Sequence, residues 1–415
     1  MGAMSGSLRG ALAARVFLCF ALGYLLSYGL RSINAVIAPA LMDEMALSNA
    51  DMGLLSSAYF VAFGSLQLPL GIWLDKYGPR RTESALLVIA AIGAIVFATS
   101  TSLAGLWAGR ALIGVGVSAC LMASFKAYRQ WFAPEQQSQL ASWMLVAGTA
   151  GALVATVPVT MALPAIGWRG VFWVVAALLL LVSAAIFLSL RGVERRFAVA
   201  APGAATATGH EGGYRRIFGS AYFRRMSALG MFNHGIFLAL QTLWAGPWMM
   251  TVLGKSQQQT SEILFMLNLV LMVAYLALGW MAPRLVARGI DAHRLIAYGL
   301  AGMVLAQAAM LFTQSEHAWL LWLVLALCVP VTTLVQSHVA LAFPAALSGR
   351  ANSAYNLLLF VGAFATQWGF GVLADGLKAS GFSAVDAFRA TLAIAVAVQA
   401  AALAYFVVSR AQAHD

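Results

Sequence analysis

Twelve apolar runs, each about the 20 residues that carry a helix across a bilayer, decide what this chain can become. They lie at roughly 14–40, 50–74, 82–100, 104–130, 138–163, 170–190, 224–252, 259–283, 291–313, 317–343, 351–375 and 385–409. The chain is 62% hydrophobic and 9% charged, against about 25% charge in an ordinary soluble domain. The fold class is therefore an all-α membrane protein with twelve transmembrane helices. The net charge of +11 first suggests nucleic acid. The cations fall in short loops between apolar runs, and no groove of basic and aromatic residues forms, so the expected partner is the lipid bilayer and not a nucleic acid. Cys19, Cys120 and Cys328 lie inside apolar runs and read as packing residues, not as a disulfide framework or a metal site. Arg9 and Arg15 precede the first run as in a secretory signal. That run is too long for a signal core and many similar runs follow, so it reads as a retained span.

The longest polar stretch, 191–223, carries Arg191, Arg195, Arg196, Arg215 and Arg216 and a low-complexity run from Ala198 to Gly209. It reads as a flexible cytoplasmic linker between an N-terminal six-helix bundle, 1–190, and a C-terminal one, 224–415. With both termini in the cytoplasm, most of the 25 lysines and arginines fall on the cytoplasmic side. The opposite face receives Arg169, Lys255, Lys378 and Arg389, as the positive-inside rule requires of a multi-pass protein of the inner (plasma) membrane.

Between the second and third runs stands Gly71-Ile72-Trp73-Leu74-Asp75-Lys76-Tyr77-Gly78-Pro79-Arg80-Arg81. Gly78-Pro79 stops a helix, because proline lacks the amide donor and glycine permits unusual dihedrals. The spacing of glycine, aspartate, glycine and paired arginines resembles the loop signature of the major facilitator superfamily. A degenerate echo, Gly279-Trp280-Met281-Ala282-Pro283-Arg284-Leu285-Val286-Ala287-Arg288-Gly289, falls at the matching place in the second half, with Pro283 where the carboxylate would be. Gly109-Arg110 through Gly114-Val115-Gly116, Gly167-Trp168-Arg169 and Gly349-Arg350-Ala351-Asn352 resemble further stretches of the same superfamily. The resemblance implies two six-helix bundles related by a pseudo-two-fold along the membrane normal around a central cavity. It also implies a secondary transporter, working by alternating access, that carries a small solute and needs no cofactor. Gly71, Asp75, Gly78, Arg80 and Arg81 would serve gating, and Arg110 would serve helix contacts or proton coupling. A monomer is expected.

Arg31 is the informative intramembrane charge. A cation at mid-membrane costs about 3 kcal/mol on insertion scales and so normally faces a cavity or a partner. Sixteen residues past Arg15, it lies about 24 Å along the first helix. Its setting, Tyr28-Gly29-Leu30-Arg31 with Asn34 and Pro39, resembles span one of the organic-anion symporters of the superfamily, where an arginine contacts the substrate's carboxylate or phosphate. A guanidinium suits that task, since it stays charged and binds such groups bidentately. The alternatives are reaching the outer headgroups or pairing with Asp43, Glu44 or Asp51. Those symporters often hold a coupling aspartate just before the arginine; here the position is Leu30. No aspartate or glutamate lies deep in a run, since Glu83, Glu262, Asp291 and Asp375 all sit near ends. An acid-poor, arginine-bearing cavity favours an anionic or zwitterionic metabolite.

His234 and His338 remain as titratable candidates for handling a coupling ion, with the proton as the expected one. Met231 near His234 reads as packing, not as a soft-metal site. By the resemblance, the first, fourth, seventh and tenth helices line the cavity, so Tyr28, Asn34, Asn233, His234, Gln241, Trp244, Gln336 and His338 join Arg31 as candidate lining. His234 and Gln241 are seven apart and should share a face. Gln67, Asn268, Asn356 and Gln367 flank them.

Enzyme readings find no support. Gly254-Lys255-Ser256 ends like a phosphate loop, but Met249 stands where its first glycine belongs, and His210-Glu211 lies in the linker. A sensor on the same fold remains a different class. Drug efflux is the runner-up among transporters. The Gly-Pro-rich motif of the superfamily's drug antiporters is replaced in the fifth run by Gly148-Thr149-Ala150-Gly151 and Val157-Pro158-Val159, which favours uptake or exchange of a metabolite.

Overall fold

A computed structural model describes residues 8, 10–198, 213–289, 291–313 and 315–409. Among them every regular element is helical. Nine helices are long and apolar enough to cross a membrane, and broken helices supply the remaining spans. Span one is Gly10–Ser32 continued by Asn34–Met45. Span two starts as Asn49–Ser65 and runs on into Gln67–Thr99, which breaks at Gly78 (φ 78°, ψ 165°) before span three. The Gly-Pro turn thus falls where the sequence places it. Span four is Leu103–Val117 with Cys120–Trp131. Span five is Pro134–Val154 with the start of Val157–Ser189, and span six follows the break at Gly167.

In the second half, span seven runs over 221–251 and contains two π turns, Leu229–His234 and Leu240–Trp244. Span eight is Gln257–Ala287, nine Ala292–Phe312, ten 320–341, eleven Ala345–Ala379 and twelve Ala384–Val408. Span ends are set by local chemistry. Ser48 and Asp51 form a capping box at the start of span two, which satisfies two otherwise orphaned amide donors. Large apolar side chains such as Leu181, Leu188, Leu305 and Phe312 point outward, as a lipid-facing surface requires.

The stretch 191–223 is only partly irregular. Arg191–Ala198 and Gly213–Gly219 are helical, and Glu194 ties the first of them to Arg80 at 2.6 Å. The low-complexity run beyond Ala198 lies outside the described residues.

Hydrogen bonds between the two halves gather at one end, opposite the arginine-rich loops. Asp375 near the end of span eleven accepts from Asn49 Nδ2 (2.6 Å) and from the Ala50 amide (2.7 Å) at the start of span two. Gln257 donates to the Val36 carbonyl (3.3 Å), and the Thr160 and Ser261 hydroxyls meet at 2.5 Å. Pro39 removes the amide that would bond the Ala35 carbonyl four residues back. Gly246 of span seven packs against that carbonyl so closely that any Cβ there would collide with it.

Candidate substrate site

The middle of the helices holds the Arg31 guanidinium. It stands over four rings: Tyr28 at 5.1 Å, Phe63 at 5.2 Å, Tyr59 at 5.7 Å and Phe360 at 5.7 Å. Phe360 lies near the middle of span eleven and itself packs on Phe63 at 4.7 Å, so the cage takes a wall from each half. Each such contact is worth about 0.5–2 kcal/mol according to its desolvation. Arg31 has no ion pair among the described residues, and its Nε is buried without a hydrogen-bond partner. Of its expected partners Asp43 is exposed, and the other two are engaged elsewhere. Glu44 pairs with Arg169 and accepts from Trp168 Nε1 at 2.6 Å, and Asp51 serves the Ser48 cap. His234 of span seven and Tyr275 of span eight lie within electrostatic reach of Arg31. A largely buried guanidinium walled by aromatic faces, with no carboxylate paired to it among the described residues, can take an anionic group on its charge and an apolar ring face on its walls.

The other candidates divide into two groups. Tyr28, His234 and Gln336 are partly exposed. Gln336 donates to Asn352 (3.0 Å) and Asn356 (3.1 Å) of span eleven. Asn34, Gln241 and Trp244 are buried against protein partners. Asn34 donates to Ser56 at 2.6 Å, Gln241 to Asn268 at 2.8 Å, and Trp244 Nε1 to the Gln367 carbonyl at 3.0 Å. Asn233 is wholly buried, with both amide atoms unpartnered. The seven-residue spacing does not bring His234 and Gln241 into one setting, because the π turns carrying them break the 3.6-residue register on which that spacing relies. His338 lies near the arginine-rich end, where its ring packs on His293 at 5.4 Å, away from Arg31.

The gating residues are also placed. Asp75 is 82% exposed and pairs with Lys126 of its own half. Arg80 is buried, bonds Glu194 and the Phe187 carbonyl (2.7 Å) and stacks on the Phe187 ring. Arg81 is exposed, and Gly71 meets no neighbour. Gly78 supplies the turn. Arg110 is 1% exposed, donates to the Leu30 carbonyl at 3.1 Å and faces Tyr59 and Phe97. It therefore braces span one immediately before Arg31.

A further sequence expectation is corrected at Glu83. Glu83, placed near a span end, is wholly buried, since spans one and four cover it. The glycines of span five, read against an antiporter motif, pack on span one: Gly148 meets Tyr24, and Gly151 meets the Leu25 carbonyl. Sequence reasoning missed Tyr59, Phe63, Phe360 and Tyr275. Their only signal was an aromatic residue at a buried helical position, which is also what ordinary packing looks like.

A bundle of broken membrane helices, joined at one end and centred on a caged arginine, defines a class of multi-pass membrane proteins. The chain belongs to the Major Facilitator Superfamily, whose sequence profile matches residues 20–367. It is 30% identical over 161 residues to the hexuronate transporter of Escherichia coli (strain K12), a stretch covering 38% of this chain and 36% of that protein. It is 27% identical over 161 residues to the galacturonate transporter of Dickeya chrysanthemi, covering 38% and 46%. The matched stretch thus spans less than half the length of these curated relatives. The fold is similar to that of a bacterial homologue of the human lysosomal transporter Spinster, solved inward-facing and unoccupied. The TM-score is 0.79 at 18% identity over 96% of this chain and 97% of that one.

Proposed function

We propose that this protein is a secondary transporter that moves a small organic anion, with a hydroxylated ring carboxylate as its substrate class, by alternating access. The observation that carries the reading is Arg31, a guanidinium at mid-depth with aromatic walls from both halves and, among the described residues, no carboxylate paired with it. A carboxylate binds the guanidinium edge bidentately, and the apolar face of a sugar ring lies against an aromatic face. The names of the two relatives, hexuronate and galacturonate transporters, support the same class. Arg31, Tyr28, His234 and Gln336 are the proposed contacts. Asn34, Asn233, Gln241 and Trp244 form the packed shell behind them, and His338 serves the arginine-rich end.

The arginine-rich end is the proposed cytoplasmic face, with both termini on that side in an inner membrane. Residues 1–190 and 224–415 are the two moving bundles of a monomer. The contacts of Asp375 and Gly246 then close the outer face, leaving the site served from the cytoplasm. Bringing one negative charge in against a 100 mV potential costs about 2.3 kcal/mol. A co-transported proton cancels that cost, and proton coupling is proposed on this ground.

Uptake of labelled galacturonate, glucuronate and glucose into proteoliposomes tests the reading. Uptake of the acids, with competition by other carboxylates and not by glucose, is expected. Transport confined to neutral or cationic compounds would overturn it. A cysteine at Gly192, which is exposed and meets no neighbour, should in a cysteine-free chain react with an impermeant thiol reagent only after cell lysis. Labelling from outside would reverse the topology.

A further inference from the structure

Glu83 has no part in the Arg31 site. It stands in span three, past the Gly78 break, and its side chain is 0% exposed. Its carboxyl oxygens meet no hydrogen-bonding group beyond the Cys120 thiol, and among the described residues no lysine or arginine pairs with it. Span one fits around the group at Gly23, where a Cβ would stand 2.5 Å from Oε1; the Leu87 side chain borders the same spot. The titratable groups facing it are Cys120 and Tyr128 of span four and Cys19 of span one. None is a cation. A bare carboxylate in such a pocket is strongly disfavoured, because no counter-charge offsets its lost hydration.

Two features join this pocket to the substrate site. Span four carries Cys120 on the wall that faces Glu83, and Cys120 lies within electrostatic reach of both Glu83 and Arg31. Span one carries Gly23 and Arg31 eight residues apart, about 12 Å along the helix.

We propose that Glu83 is the proton-binding site that couples proton movement to anion movement. With the pocket shut, the group is a neutral carboxylic acid. Separation of spans one and four around it hydrates it and releases the proton to water, leaving a carboxylate. Uptake of one proton from water on the other side restores the acid. One proton thus accompanies one negative charge bound at Arg31. This rests on the transport reading above, and its test separates the two.

The full chain is reconstituted in proteoliposomes, with galacturonate as the probe. An inward proton gradient should drive accumulation by the unaltered protein. Glu83→Gln, a permanent mimic of the protonated acid, should abolish accumulation while keeping galacturonate exchange within about threefold. Proton-driven accumulation by Glu83→Gln would overturn the proposal. An infrared arm needs no transport. The unaltered protein should show a carboxylic-acid C=O band that disappears on raising the pH and is absent from Glu83→Gln. A band that never changes with pH, or no such band at all, would overturn the proposal even if galacturonate is carried. If galacturonate is not carried, the transport reading of its substrate fails, and the infrared result still decides Glu83.

Discussion

The two halves of the molecule bury polarity in opposite ways. The first half buries charge: Arg31 in an aromatic cage, Arg110 on the Leu30 carbonyl and Glu83 with no cation paired to it among the described residues. The second half buries amides that answer one another. Gln241 meets Asn268, Gln336 meets Asn352 and Asn356, and Gln307 meets Gln399 at 2.9 Å. An amide pair satisfies most of its own donors and acceptors, so its cost in hydrocarbon is small and its net worth averages about 0.6 kcal/mol. A buried charge has no such closed solution and is costly unless something arrives to complete it. Under the proposed function, the difference places anion and proton handling in the first half, with Phe360 of the second half as a neutral wall of the Arg31 cage.

The largest effect that would sharpen this contrast is at Arg31. Arg31→Ala removes a charge-assisted bond to the anion and should cost about 1.5–3 kcal/mol, roughly 10- to 150-fold in galacturonate affinity. Arg31→Lys should rescue little, because a point charge does not reproduce the planar fork. Titration calorimetry, with folded yield as the control, reads both variants. Near-native binding by Arg31→Ala would remove the basis of the contrast.

Asp375 comes next, the charge of the second half that works on the first. Its carboxylate caps the start of span two and bonds the Asn49 side chain. Asp375→Asn keeps the shape and loses the charge at a helix N-terminus, an effect of about 0.3–2 kcal/mol. The outer end should open more often by the same free energy. Spin-label distances across that end should show a larger open population, and an unchanged distribution would mean that Asp375 does not hold the closure.

The amide pair predicts a smaller and different response. Gln241→Leu should lower thermal stability by about 1 kcal/mol, since Asn268 is left unsatisfied, and the double change with Asn268→Leu should recover most of it. Galacturonate affinity should stay within a few-fold throughout. A loss of affinity as large as that at Arg31 would place Gln241 in contact with substrate and break the division between halves.

Asp75→Asn gives the smallest equilibrium effect. The Asp75–Lys126 pair is exposed, and exposed pairs are worth about 0–1 kcal/mol. Affinity should hold within a few-fold while transport slows, because with the inner end shut the carboxylate is expected to find cations or a helix start in the other half. Lost binding in well-folded protein would contradict a gating role.

The class of protein and its spans were legible in the sequence, because about 20 apolar residues and a basic loop are local signals. So were the Gly78 break and the oddity of Arg31 in an apolar helix, each readable within a few residues of chain. The tertiary structure alone decided what those residues meet. Phe360 reaches Arg31, and Asp375 reaches Asn49, from hundreds of residues away along the chain, and no local period encodes such a meeting. The π turns rotated Gln241 onto Asn268 against the spacing argument. Glu83 read as a helix-end carboxylate, but the packing of spans one and four over it made it a buried acid. Burial is a property of how several helices pack together, and a sequence read one helix at a time cannot contain it.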